Sequence, residues 1–187
     1  MVTLNQLSRV AIVGTSCSGK TTLACALAKI LEAPRIELDA LHWGPNWTET
    51  PADQLRVAVD EATIRSRWIC DGNYRMVRDL VWARATTIIW LNYSFPLVFT
   101  RALRRTVSRS IRRTTLYSGN RETFAKSFLS RDSILLWVLK SHWRNRREYS
   151  QVLDRAVSEG IHILPLNSPA KAAELLSATE QLITAPR

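Results

Sequence analysis

The stretch Gly14-Thr15-Ser16-Cys17-Ser18-Gly19-Lys20-Thr21 fits the pattern G-x-x-x-x-G-K-[ST] without deviation. Its glycines let the backbone curl so that N–H groups point inward at phosphate oxygens. A helix starting beside the second glycine adds the partial positive charge of its N-terminus. Such a loop needs a strand before it and a helix after it, and both are legible. Arg9-Val10-Ala11-Ile12-Val13-Gly14 is a short apolar run ending in glycine, the mark of a buried strand. Lys20 to Glu32 carries Leu23, Leu27, Ile30 and Leu31 at helical spacing, and Pro34 closes it. In that setting Lys20 should reach the β- and γ-phosphates of ATP, and the Thr21 hydroxyl should ligate Mg²⁺. Thr22 reads as a helix-start residue or as a further nucleotide contact. Cys17 reads as a small residue that fits the loop, or as a thiol that neighbouring Lys20 makes oxidisable.

Further strands alternate with helices. Arg35–Asp39 reads as a second strand and Trp68–Cys70 as a third, stopped by Asp71-Gly72. Thr86–Leu91 is the clearest β run, and Ile161–Leu166 is the last. Between them, Thr50 suits an N-cap with Pro51 at the first helical position, Tyr74 to Ala83 reads as a helix, and Pro169–Leu176 closes the chain. This alternation predicts a three-layer α/β fold on a parallel, five-stranded sheet. With 187 residues the chain reads as one domain, 1–187, that needs no disulfide or metal to fold. Cys17, Cys25 and Cys70 match no zinc spacing, and no apolar run approaches a membrane span. Reduced thiols and the lack of a signal-peptide pattern point to the cytoplasm, with no membrane partner.

Charge is the unusual quantity. The net charge is +10, and its distribution is uneven. Residues 1–98 are net +1 and residues 150–187 net −1, while residues 99–149 carry 13 basic and 3 acidic groups. The core thus maps to about 1–98 and 150–187, and the basic segment, about 99–149, is an insertion between the fourth and fifth strands. Arg101, Arg105, Arg109 and Arg112 share one helical face, and Leu103, Val107 and Ile111 another. Arg144, Arg146 and Arg147 form a second cluster.

Phosphoryl transfer needs a carboxylate for the metal and often one to accept a proton, and in parallel sheets such groups sit at the carboxyl ends of strands. Asp39 and Asp71 are in those places. Asp71 in Asp-Gly also reads as a turn residue, and Asp39 as a helix cap. Trp43 and Trp47 flank Gly-Pro-Asn and read equally as an aromatic wall or as core, and His42 as a structural histidine more than a catalytic one.

Cys70-Asp71-Gly72-Asn73-Tyr74-Arg75 resembles the Asp-Gly-Phe-Pro-Arg signature of adenylate kinases, with Asn73-Tyr74 in place of Phe-Pro. The resemblance implies that Asp71 organises Mg²⁺ and that Arg75 grips the acceptor phosphate. Together with Leu38–Trp47, Trp68–Tyr74 and Ile88–Leu91, nearly the whole chain is similar to adenylate-kinase-like proteins of the DNA topology modulation type; Asn92 stands where those relatives usually have Asp. Shikimate- and gluconate-type kinases resemble this loop layout and use an Asp near Asp39 to hold a hydroxyl acceptor. Nucleotide kinases place a lid after the fourth strand, so Arg101 and Arg105 resemble the arginines entering it, and Arg144 and Arg146 those leaving it. A lid arginine contributes about 10³–10⁵ in rate. Ser168 and Pro169 correspond to the loop beside the adenine.

These readings converge on a P-loop fold with a helical lid and an ATP- and Mg²⁺-dependent phosphotransferase. Its acceptor is a small molecule: a nucleoside monophosphate if Arg75 decides, a hydroxyl compound if Asp39 does. The basic segment leaves a second function open, a nucleotide-dependent nucleic-acid binder in which arginines meet phosphates while Tyr117, Trp137 or Trp143 stack on bases. A plain basic surface or partner helix is the third reading of the segment, and a bare NTPase is a third function, against which stands the absence of an obvious catalytic Glu after a strand-end Asp.

Overall fold

A computed structural model describes residues 2–112 and 134–184. Tract 113–133, with Tyr117 and the middle of the expected lid, lies outside the described residues, as do the side chains of Arg109, Ile111, Arg112 and Trp137.

The strands are β1 (Arg9–Gly14), β2 (Arg35–Glu37), β3 (Trp68–Asp71), β4 (Thr87–Leu91) and β5 (His162–Leu166). They form one sheet in the order β2-β3-β1-β4-β5, with every neighbouring pair parallel. β1 is central, and its alternation assigns one residue set to each face. Val10 and Ile12 enter a core with Leu23 and Leu27 of α1 (Lys20–Ile30), Val98 and Ala102 of α5 (Phe95–Arg112) and Leu175 of α7 (Pro169–Thr184). Ala11 and Val13 enter the opposite core with Leu55 and Val59 of α3 (Ala52–Thr63), Val81 of α4 (Arg78–Arg84) and Leu153 of α6 (Ile134–Ser158). The result is the expected three-layer fold, helices covering both faces of a parallel sheet.

Helix α6 belongs to both layers. Its early residue Val138 joins the first core, whereas Tyr149, Leu153 and Ala156 join the second. The helix therefore passes from one face of the sheet to the other, and its middle carries Arg144, Asn145 and Glu148. It stops in a left-handed turn at Gly160, φ 83°, where Ile161 N–H donates to the Ala156 carbonyl. Helix α1 ends in the same way with Glu32 at φ 49°: Ala33 N–H donates to Ala28 O and Glu32 N–H to Lys29 O.

Several boundaries differ from expectation. β2 ends at Glu37, and Asp39 lies in the first turn of a short helix, α2 (Leu38–His42). The turn packs Leu38 under Gly72, where an added Cβ would lie 2.6 Å from the Leu38 Cβ. Thr50 does not cap α3. Its hydroxyl donates instead to Leu41 O (2.8 Å), tying the chain back to α2, and Pro51 takes the cap position. Before α4 a 3₁₀ turn occupies Arg75–Val77. β4 starts at Thr87, and the hydroxyls of Thr86 (2.8 Å) and Thr87 (2.7 Å) both donate to Gln6 O; the closing helix α7 runs on to Thr184. Among the described residues no helix is long and apolar enough to cross a membrane.

Candidate active site

The loop Gly14–Thr21 lies at the carboxyl end of β1, where strand order reverses between β3 and β4. Gly14 has φ 150°, and a side chain there would meet the Leu91 carbonyl oxygen of β4 at 2.8 Å. Gly19 begins α1 in the left-handed region at φ 101°, and Cys17 has φ 64° despite its side chain. The Lys20 ammonium folds over the loop and donates to the carbonyls of Gly14 (2.9 Å) and Thr15 (3.3 Å). Burial lowers its pKa, although Asp39 and Asp71 nearby pull the other way. The Ser18 hydroxyl is buried beneath the loop with no hydrogen-bond partner among the described residues.

Asp71, 4% exposed, closes the end of β3. Its Oδ2 accepts from the Thr21 hydroxyl at 2.9 Å, and its Oδ1 accepts from Arg35 Nε at 3.0 Å. Burial raises the Asp71 pKa against the opposing effect of these two donors. Arg35 also pairs with Glu37 at 2.9 Å, both lying on one face of β2. Two residues on, the Asn73 side-chain amide grips the start of the loop. Its Oδ1 accepts from Gly14 N–H (3.2 Å), and its Nδ2 donates to Gly14 O.

The entering arginines of the basic segment reach the loop. Arg101 on α5 donates to Ser18 O at 2.8 Å and lies over the Tyr93 ring. Arg105, one turn later, reaches Cys17 Sγ at 3.8 Å. With Thr22 and Pro169 they line a cavity of about 680 Å³ over Ser16–Thr21.

A second cavity of about 620 Å³ opens on the far side of Lys20. Asp39, Trp43 and Tyr74 form one wall, and Arg75, Arg78, Arg144 and Glu148 another. The Tyr74 hydroxyl donates to Asp39 Oδ1 at 2.7 Å, and its ring leans on buried His42, which meets Trp43 edge-on. Trp43 and Trp47 are also edge-to-face. Glu148 takes hydrogen bonds from both Arg75 and Arg78, the latter at 2.9 Å. The two cavities share Ser16, Lys20 and Asp39.

Of the residues singled out in the sequence, the structure brings the loop, Asp39, Asp71, Arg75, Arg101, Arg105, Arg144 and Pro169 around this pair of cavities. Arg146 lies on an exposed part of α6 outside both, close enough to His142 to help lower that imidazole's pKa after burial. The Ser168 hydroxyl accepts from Lys171 N–H at 3.3 Å, a helix cap for α7. Sequence reasoning passed over Arg35, Arg78 and Glu148, and treated Asn73 and Tyr74 only as departures from a signature. Their place just after the Asp-Gly strand end was the available signal. Nothing local marks Glu148, since its relevance depends on α6 crossing the sheet.

No protein-family profile matches this sequence, and no curated protein is similar to it in sequence. Solved structures are similar in fold. Shikimate kinase from Acinetobacter baumannii in complex with shikimate aligns with a TM-score of 0.56 and 16% identity, over 96% of this chain and 94% of that one. A gluconokinase from Sinorhizobium meliloti 1021 aligns at 0.53 and 18%, over 95% and 91%. Shikimate kinase from Bacteroides thetaiotaomicron aligns at 0.56 and 13%, over 95% and 99%. At these identities the likeness is one of architecture: the chain has the α/β P-loop fold seen in small-molecule kinases.

Proposed function

We propose that this chain is an ATP-dependent phosphotransferase, moving the γ-phosphoryl group of Mg·ATP to a small acceptor in the second cavity. The observation that carries the reading is the meeting of two cavities at Ser16, Lys20 and Asp39. One cavity is lined by a phosphate-cradling loop with two arginines, the other by aromatic rings, two carboxylates and more arginines. The neighbours named for shikimate and gluconate are consistent with a small acceptor.

Lys20 and the loop amides hold the phosphates, and Arg101 and Arg105 stand beside them to balance charge as the phosphoryl group moves. Thr21 and Asp71 suit Mg²⁺, a hard cation that takes oxygen ligands: the Thr21 hydroxyl and Asp71 Oδ2 face one another while Arg35 occupies Oδ1. When bound, the ion supplies charge neutralisation on the phosphates. Asp39 accepts the acceptor's hydroxyl proton, with Tyr74 fixing one of its oxygens. Arg75, Arg78 and Arg144 favour an acceptor that also carries an anionic group, and nucleoside monophosphates head the set to test.

Replacing Lys20 with Ala is expected to abolish phosphoryl transfer with the fold intact by circular dichroism. A screen of wild type with labelled ATP over nucleoside monophosphates, nucleosides and sugar acids identifies the acceptor. Unchanged turnover in K20A, or no transfer to any of them, would overturn the reading. The charge of segment 99–149 supports a second reading, nucleotide-dependent nucleic-acid binding. It requires a DNA affinity that falls steeply with salt and depends on Arg101 and Arg105.

A further inference from the structure

We infer that Glu148 acts as an internal stand-in for the acceptor's anionic group, holding Arg75 until the acceptor takes it over, so that Glu148 sets the second cavity's affinity for anions. This rests on the reading of that cavity as the acceptor site. The Glu148 carboxylate bridges two guanidinium groups that are held very differently. Arg78 is 20% exposed, and its guanidinium lies over the rings of Trp82 (5.2 Å) and Tyr149 (5.6 Å). Arg75 is 66% exposed and sits in the 3₁₀ turn ahead of α4. Arg78 is therefore the fixed partner and Arg75 the one that can leave. Both arginines, Glu148 and Arg144 line one cavity with Lys20 and Asp39.

An anion entering there meets Arg75 already paired with a carboxylate. To bind it must displace one charge-assisted hydrogen bond and tolerate a neighbouring negative charge, so both effects weaken it. Arg78 retains Glu148 afterwards, which spares the protein an unpaired, partly buried carboxylate. A neutral ligand gains nothing by displacing Glu148, so the contact also discriminates between ligand classes. Because Glu148 lies on α6 and Arg75 precedes α4, release of Arg75 loosens one of the ties between those helices at the moment the cavity fills.

The test titrates inorganic phosphate into the full chain by calorimetry, with the loop first saturated by a non-hydrolysable Mg·ATP analogue. E148Q is expected to bind phosphate about tenfold more tightly than wild type, and E148Q/R75A to lose that gain. E148D, which keeps the charge on a shorter arm, should fall between, and it keeps the test decisive if E148Q folds poorly. Equal or weaker binding in E148Q and E148D, a gain that survives R75A, or no phosphate binding in any of the proteins would overturn the inference. The measurement involves no turnover. Tighter binding in E148Q by a chain that transfers no phosphoryl group would keep the stand-in role and sink the kinase reading; transfer with no gain in E148Q would do the reverse.

Discussion

Asn73 shows how one side chain can hold a loop in shape. A carboxamide has one acceptor and one donor, and Gly14 offers the matching pair from its backbone, N–H to Oδ1 and C=O from Nδ2. Gly14 is also where φ is 150° and where β4 leaves no room for a side chain. The strand-to-loop turn is thus fixed from two sides, by space and by hydrogen bonds. Asn73→Asp keeps the size and the acceptor but sets a carboxylate oxygen against the Gly14 carbonyl. It is expected to weaken nucleotide binding about tenfold, read by calorimetry, with the fold unchanged by circular dichroism. Arg35 works in a similar way on Asp71, directing one carboxylate oxygen and leaving the other to Thr21.

Among the elements, α6 joins the two cores on opposite faces of the sheet. It packs on α5 near its start, lines the second cavity in its middle and enters the second core at its end. Glu148 ties it to the entry of α4 through Arg75 and Arg78. Burial raises the Glu148 pKa, but hydrogen bonds from the two arginines outweigh that and leave it below its ordinary 4.5. A carboxyl whose folded pKa is depressed contributes stability that is fully present above its unfolded value and is lost as pH falls through its folded value. Glu148→Gln should therefore show a shallower loss of stability below about pH 4.5 than wild type, measured by urea unfolding at stepped pH. An acid limb identical to wild type would mean that the pair contributes nothing to holding α6.

For the whole molecule, stability rests on the two cores that sandwich the sheet. Trp68 in β3 is fully buried, and its indole N–H donates to Thr63 O at 3.1 Å. Trp68→Ala removes that packing and leaves a cavity beneath α3, at a cost of about 3–5 kcal/mol. A lower urea midpoint with an unchanged slope is the expected result, and a shift under about 1 kcal/mol would place the main core elsewhere. The sandwich was readable from local patterns: apolar runs bounded by Gly, Asp and Pro for strands, period-3.6 stripes for helices, and a loop motif that demands a strand before and a helix after. Asp39 and Asp71 were readable for the same reason, since strand ends in a parallel sheet converge. Boundaries at Asp39 and Thr50 were missed because tertiary contacts, Leu38 under Gly72 and Thr50 on Leu41, overrode local preference. By itself, then, the sequence determined the fold class, the phosphate loop and the concentration of positive charge after the fourth strand, all set by residues close together in the chain. Only the tertiary structure decided what that charge meets. Arg101 and Arg105 reach the loop, Arg144 faces the second cavity, Arg146 lies outside both, and Arg75 is paired with a carboxylate from a helix that crosses the sheet. Such pairings join residues as far as 88 positions apart, and no local pattern encodes them.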